Sequence, residues 1–199
     1  MKVFTGLTGN TRKNLQLDAG ALFKNYNPAT DTPETASAKL IGATVGGSTL
    51  SIVPEVRQIA VDGVKGPTKG YEAIDSWTVT LTTNIKEITV DSVKLMLAAA
   101  VSTTTNTSTT SPIPAGYTKI NLKELEDSDY IDNITWIGRI SGSDSPIMIV
   151  IRNAINLNGF SMQAQDKNEG QLPAVFTAHY DVSDLEDVPV DIYIPNQSA

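Results

Sequence analysis

A seven-residue stretch from position 76 to 82 constrains the fold most. In it Trp77, Val79 and Leu81 alternate with serine and threonine. A period of two places apolar side chains on one face of a strand and hydroxyls on the other, whereas a helix needs a period of 3.6. The same alternation returns at 160–165 and 175–180. These patterns predict a protein built from half-buried β-strands.

One helical pattern lies among the apolar stretches of strand length. Val90, Val93 and Leu97 recur at helical spacing and an alanine run follows, which predicts one amphipathic helix over 90–101, capped by Asp91 or Thr89. A short helical turn is expected at 152–156. The remaining strands are expected, with a break at Pro54, at 50–52, 56–61, 134–140, 147–151, 159–165, 174–182 and 190–194. The fold class predicted is mainly β, an antiparallel sandwich or barrel with one flanking α-helix.

The 199 residues are expected to form a single domain with three irregular segments. Residues 1–16 are predicted to form an N-terminal arm. Residues 27–49 are rich in Pro, Thr, Ser and Gly and predict a long extended loop without a core of its own. In 102–111 nine of ten residues are Ser or Thr and prolines follow, so 102–116 is expected to be a surface loop.

Composition excludes several functions. The chain has no cysteine, so a disulfide framework, a thiolate zinc site and a cysteine nucleophile are excluded. A net charge of −7 and a pI near 4.6 argue against a binder that attracts nucleic acid by bulk positive charge. No apolar h-region follows Met1 and no run approaches 18 apolar residues, so we expect synthesis in a cytoplasm and no membrane span.

Motifs for catalysis or cofactor binding are weak. His179 is the only histidine and lies in an alternating stretch, which favours a half-exposed strand residue over a general base. Acidic clusters at 124–132 and 181–187 lack the spacing of a calcium loop, and 42–47 lacks the Gly-Lys-Ser/Thr ending of a phosphate loop. We therefore expect a protein that is not an enzyme and uses no cofactor and no metal.

Four stretches carry a resemblance to a known family. They lie at 17–26 (LDAGALFKNY), 54–66 (PEVRQIAVDGVKG), 74–77 (IDSW) and 179–195. Together they resemble the major tail proteins, or tail tube proteins, of long-tailed bacteriophages and prophages.

The resemblance implies a structural role. Such proteins form a β-sandwich flanked by a helix and assemble into hexameric rings. The rings stack around a tape-measure protein, and the inner strands of six subunits line a channel through which DNA passes without specific binding. The expected partners are other copies of the chain, the tape-measure protein, and the tail terminator and distal tail proteins. The expected location is the tail tube of the virion, after assembly in the bacterial cytoplasm.

The resemblance also suggests which residues make contacts. The loop at 27–49 is expected to reach the adjacent ring, with candidate residues Asp31, Thr32, Glu34, Lys39, Leu40 and Ile41. A second contact is expected at the 62–73 turn, through Lys65, Pro67 and Lys69. Residues 121–199 carry 4 basic and 13 acidic side chains, so an acidic channel wall or interface is expected to draw on this half. Its candidate residues are Asp166, Glu169, Asp181 and Asp184.

Two alternatives remain open. One is another component of a phage-like tail, such as a related tube protein or a terminator. The other is a β-sandwich module that binds carbohydrate or mediates adhesion, which would need exposed aromatic rings to stack on sugars. Trp77 and Trp136 both have apolar neighbours two positions away, which favours core packing for each.

Overall fold

Antiparallel strands dominate the structure, a computed structural model that describes residues 5–104, 113–114 and 116–196. In this part of the chain there are ten strands and one α-helix, α1, at Val90–Leu97. The strands are β1 Ala21–Lys24, β2 Thr44–Gln58, β3 Glu72–Ile85, β4 Ala100–Thr104, β5 Thr118–Leu122, β6 Ile131–Gly138, β7 Ile147–Ala154, β8 Gln163–Gln165, β9 Asn168–Thr177 and β10 Val190–Tyr193. The mainly β class predicted from the sequence is confirmed.

Two four-stranded sheets form the sandwich. The first sheet has the order β1-β6-β7-β10 and the second the order β2-β3-β9-β8, with every neighbouring pair antiparallel. Leu22, Ile134 and Ile151 of the first sheet pack in one cluster with Leu81 and Phe176 of the second. The hairpin of β4 and β5 forms a separate two-stranded sheet beside α1.

The alternation at 76–82 places β3 as predicted. Val79, Leu81 and Ile85 are buried, and Thr83 occupies the same face, where its hydroxyl meets that of Ser48 at 3.1 Å. Thr82, on the opposite face, is exposed. The hydroxyl of Thr83 is tolerated inside because its polar atom has a partner.

β2 is longer than the sequence indicated. It begins at Thr44, so the last part of the expected 27–49 loop belongs to a strand, and it continues through Pro54 to Gln58. Pro54 has no N–H for a strand ladder, but β2 is the edge strand of its sheet and pairs on one side only. The expected break at Pro54 is therefore wrong.

The predicted helix, 90–101, has the correct start and the wrong end. Thr89 caps it: its side chain accepts from the Ser92 N–H at 3.0 Å, while the Ser92 hydroxyl accepts from the Thr89 N–H at 2.8 Å. The helix stops at Leu97 because Ala98 takes a φ of 57°. Ala100 then enters β4 and pairs with Leu122, so sheet pairing overrides the helix propensity of the alanine run.

Further boundaries differ from expectation. The strand expected at 159–165 is shorter, because only Gln163–Gln165 form β8, and Phe160 and Met162 are 40% and 50% exposed. The helical turn expected at 152–156 is wrong, because β7 runs to Ala154 and Ile155 bridges to Thr177. β9 begins at Asn168, before the expected 174, and ends at Thr177, so His179 lies beyond its end.

The last part of the N-terminal arm lies alongside residues 139–141, which come directly after β6 in the chain. The Leu17 N–H donates to the Arg139 carbonyl at 3.0 Å and the Ser141 N–H donates to the Leu15 carbonyl at 2.9 Å. Side chains from Thr5 to Asn10 are exposed. Of the expected 102–116 surface loop, 102–104 belong to β4, whereas 105–112 and 115 lie outside the described residues.

The indole of Trp136, on β6, packs beside the main core. Its Nε1 donates to the Ala19 carbonyl at 2.9 Å, and its ring packs against the main core. A Cβ at Gly20 or Gly138 would overlap the indole. Both glycines are therefore required for the close approach of the ring.

Replacing Gly138 by alanine should destabilise the protein by about 1–3 kcal/mol, because the added methyl forces the indole out of its site. Urea unfolding followed by tryptophan fluorescence measures this. Gly66→Ala is the control, since a Cβ there meets no atom within 4 Å. Equal stability of the Gly138 variant and the wild type would contradict the packing described.

Candidate assembly surfaces

The hairpin of β2 and β3 extends beyond the sandwich. β9 pairs with β3 only from Thr80 to Ile85, and the Ala178 N–H adds one bond to the Val79 carbonyl. Residues 53–78 therefore form a two-stranded element, called the projecting ribbon below. Its base is held by the Trp77 N–H, which donates to the Tyr180 hydroxyl at 3.0 Å.

The projecting ribbon exposes apolar side chains along its length. Seven of them are exposed by 45% to 53%. The seven are Val53, Val56, Ile59, Val61, Val64, Tyr71 and Ile74. Val56 and Ile74 are cross-strand neighbours, and adjoining exposed apolar side chains mark contact sites for other macromolecules in soluble proteins.

Polar pairs hold the two strands of the projecting ribbon in register. Arg57 Nε donates to Asp75 Oδ2 at 3.0 Å, and the Gln58 amide donates to Glu72 at 3.1 Å. The Gln58 amide lowers the pKa of Glu72 below the usual glutamate value. Exposed pairs contribute about 0–1 kcal/mol each, so they favour register more than stability. Lys65, Pro67 and Lys69 lie at the exposed tip.

The expected ring-stacking loop, 27–49, packs against the sandwich. Ala36 is 2% exposed and packs with Phe23, Tyr26 and Ile137 in a second cluster. Ile41 packs against the main core, and its N–H donates to the Leu22 carbonyl at 2.9 Å. The expectation that this segment has no core of its own is therefore wrong.

Hydrogen bonds organise the same loop around Asp31. Its Oδ2 accepts from Lys39 Nζ at 2.6 Å and from the Asn27 N–H at 2.8 Å. These bonds, the one from Lys39 first, hold the pKa of Asp31 below its ordinary value of 3.8. Burial and the nearby carboxylates raise the pKa of Tyr26, whose hydroxyl donates to the Asp31 carbonyl at 2.8 Å.

The other candidate residues of this loop are on its surface. Thr32 caps the following turn, where its Oγ1 accepts from the Thr35 N–H at 3.3 Å. The Glu34 carboxylate accepts from its own N–H and from Thr32, which lowers its pKa. Leu40 is 44% exposed and bridges to Phe23.

The four acidic candidates of the second half fall into two separate places. Asp166 and Glu169 lie at the start of β9, where Glu169 forms an ion pair with Lys86 at 2.7 Å. The Lys86 amine lowers the pKa of Glu169. Asp181 and Asp184 lie beyond the other end of β9 and accept bonds from backbone N–H groups two residues further on. The structure therefore does not bring the four together.

The outward face of the second sheet carries little charge. Thr49 opposes Thr82, and Ser51 opposes Thr80, which in turn opposes Thr177. Between Glu55 at one end and the Lys86–Glu169 pair at the other, the outward side chains of β2, β3 and β9 are uncharged. The members of this hydroxyl-rich face are Thr49, Ser51, Val53, Thr78, Thr80, Thr82, Asn84, Gln171, Pro173, Val175 and Thr177.

His179 has a structural environment. Its ring packs edge-on against Tyr130 with 5.2 Å between centroids, and its Nδ1 lies 3.1 Å from the Thr177 carbonyl oxygen. Within the described residues, no three His, Asp or Glu side chains are grouped as a metal site. No helix in the described part is long and apolar enough to cross a membrane.

Comparison with protein-family models and with curated proteins finds no match for this chain. The sequence predicted a contact turn at Lys65, Pro67 and Lys69, which stays a prediction, but did not indicate the exposed apolar side chains of the projecting ribbon. A signal was present, because Val and Ile recur from 50 to 64 without the polar alternation seen at 76–82.

Replacing Lys39 by glutamine should raise the pKa of Asp31 toward 3.8, because the amine that stabilises its charged form is lost. In the wild type, the stabilising effect is present above the unfolded pKa and is lost as pH falls through the lower folded pKa. A carbon-detected NMR titration of the Asp31 carboxyl measures its pKa in the folded wild type and in the Lys39 variant. Lys119→Gln, on β5, is the control and should leave the midpoint unchanged; an unchanged midpoint in the Lys39 variant would exclude the ion pair.

Proposed function

We propose that this protein is a structural tube subunit that resembles the major tail proteins of long-tailed phages. Copies form hexameric rings that stack into a tube, and DNA passes through the channel. One observation carries the proposal: a two-stranded ribbon with seven half-exposed apolar side chains extends from the sheet that also has an uncharged, hydroxyl-rich outward face. The first feature supports assembly and the second supports a channel wall.

Lateral assembly would use the edges of the second sheet. β2 and β8 are its edge strands, and no described strand pairs with the outer side of the 15-residue β2. A long free edge favours pairing with another chain, and a closed ring removes all such edges. Pairing of β2 with β8 of the next copy would join six sheets into one continuous wall.

The hydroxyl-rich face would line the channel. Each phosphate neutralised by Lys or Arg adds affinity that slows the passage of DNA, so a wall without free cations is favourable. Lys86 lies at the end of this face but is paired with Glu169. In this proposal the low charge of the wall, rather than a dense acidic lining, prevents retention of DNA.

The remaining parts of the proposal follow from the same role. The subunit acts without catalysis or cofactor, and its location is the tail tube of a virion. Its further partners are a tape-measure protein inside the tube and the terminator and distal tail proteins at the two ends.

Replacing Val61 and Val64 by serine should prevent stacking, because each half-exposed valine loses roughly 1 kcal/mol of apolar burial at every contact. Negative-stain microscopy should show tubes for the wild type and separate rings or single subunits for the variant. Val182→Ser with Leu185→Ser is the matched control, since these residues are 92% and 69% exposed on another loop. Tubes of equal number and length in the ribbon variant would contradict the role of the projecting ribbon.

Introducing lysine at Thr80 and Thr82 should make assembled tubes retain DNA. The salt dependence of binding should have a log–log slope of about −0.9 for each phosphate contacted. Filter binding of double-stranded DNA to purified tubes measures this, with glutamine at both positions as the uncharged control. Lysine tubes that bind no more DNA than glutamine tubes would exclude this face as the channel wall.

A further inference from the structure

A cleft of about 940 Å³ opens on the outward side of the first sheet. Phe23, Ile137 and Met148 form its apolar floor. The loop at 28–34 forms one wall, and residues 193–196 form another. A concave apolar floor between two walls can take a projecting group of apolar side chains, and such pockets hold the residues that contribute most to binding at interfaces.

The rim of this cleft is acidic. Asp18, Asp31, Glu34 and Asp144 line it, and among the described lining residues Arg139 is the one cation. Asp31 is paired with Lys39, but Glu34 and Asp144 are exposed. The rim therefore favours a partner that combines apolar groups with positive charge.

The tip of the projecting ribbon, residues 59–71, has this composition. Val61 and Val64 are 48% and 50% exposed. Lys65 and Lys69 outnumber the one acid, Asp62, which gives the tip a net charge of +1. The tip combines exposed apolar side chains with a net positive charge, whereas the cleft combines an apolar floor with an acidic rim.

The tip of a chain does not fill the cleft of the same chain. No residue of 59–71 lines the cleft, because the tip extends from the second sheet while the cleft lies on the outward side of the first. A group on one face that fits a pocket elsewhere on the same molecule makes a head-to-tail contact, which repeats from copy to copy.

We propose that the tip of the projecting ribbon docks in the acid-rimmed cleft of a second copy of this chain. The inference rests on the proposed tube-forming function and adds the surface that receives the ribbon. Val61 and Val64 enter the apolar floor, and Lys65 and Lys69 face Glu34 and Asp144.

Charge reversal of each side, followed by mixing, tests the contact. The tip variant carries Lys65→Glu and Lys69→Glu; the rim variant carries Glu34→Lys and Asp144→Lys. Each variant alone places like charges together, so its self-association, measured by sedimentation velocity, should weaken by more than about tenfold. An equimolar mixture pairs each reversed side with its opposite charge, so association should return to the wild-type level.

Three further measurements separate the contact from general effects. Glu124→Lys with Asp127→Lys changes the net charge as the rim variant does, on exposed residues outside the cleft, and should associate like the wild type. Circular dichroism of every variant should match that of the wild type, which identifies variants that fail to fold. A chain that carries all four reversals should also associate, which supports the contact if either the tip variant or the rim variant is poorly folded.

The outcomes distinguish this inference from the proposed function. Two results would overturn the docking of tip and cleft and leave the tube function standing. One is that the tip variant and the rim variant both form tubes like those of the wild type. The other is that their mixture does not recover association. Head-to-tail association that responds to charge reversal as expected, without rings or tubes under any condition, would support the docking and overturn the tube function.

Discussion

The core shared by the two sheets determines the position of every other feature. Phe176 and Leu81 of the second sheet pack against Ile134 and Ile151 of the first, and these side chains are almost fully buried. Because side chains alternate along a strand, a slip of one residue would move the whole apolar set to the outer face. The same packing therefore fixes the outward position of the hydroxyl groups.

The projecting ribbon begins where this core ends. Beyond Val79, the ribbon has no third strand beside it, and its apolar side chains remain about half exposed. Burial of apolar area contributes about 25 cal/mol per Å², so these residues forgo stabilisation in the single chain that contact with a partner could supply. A free β2 edge and an acid-rimmed cleft on the other sheet add two more surfaces suited to other copies of the chain.

Local patterns predicted the elements well where packing agreed with them. Val79 and Leu81 were placed inside from their alternation alone, and Thr89 was one of two candidate caps because its hydroxyl can accept from the first turn. The prediction failed where tertiary contacts decide. Ala100 has a high helix propensity yet joins β4, and Pro54 lies inside a strand because that strand is an edge. Ala36 is buried because Phe23 and Tyr26 form a second cluster that no local pattern reveals.

The sequence by itself determined the β class, the inward and outward faces of β3, and the exclusion of cysteine chemistry, because each depends on residue type and short-range period. Only the tertiary structure decided that Glu169 is neutralised by Lys86, that Asp166 and Asp181 lie at opposite ends of β9, and that an acidic cleft and a basic tip occupy different sheets. Charges far apart in the chain acquire partners only when strand pairing sets their distances. Net charge alone therefore could not assign the surfaces on which assembly depends.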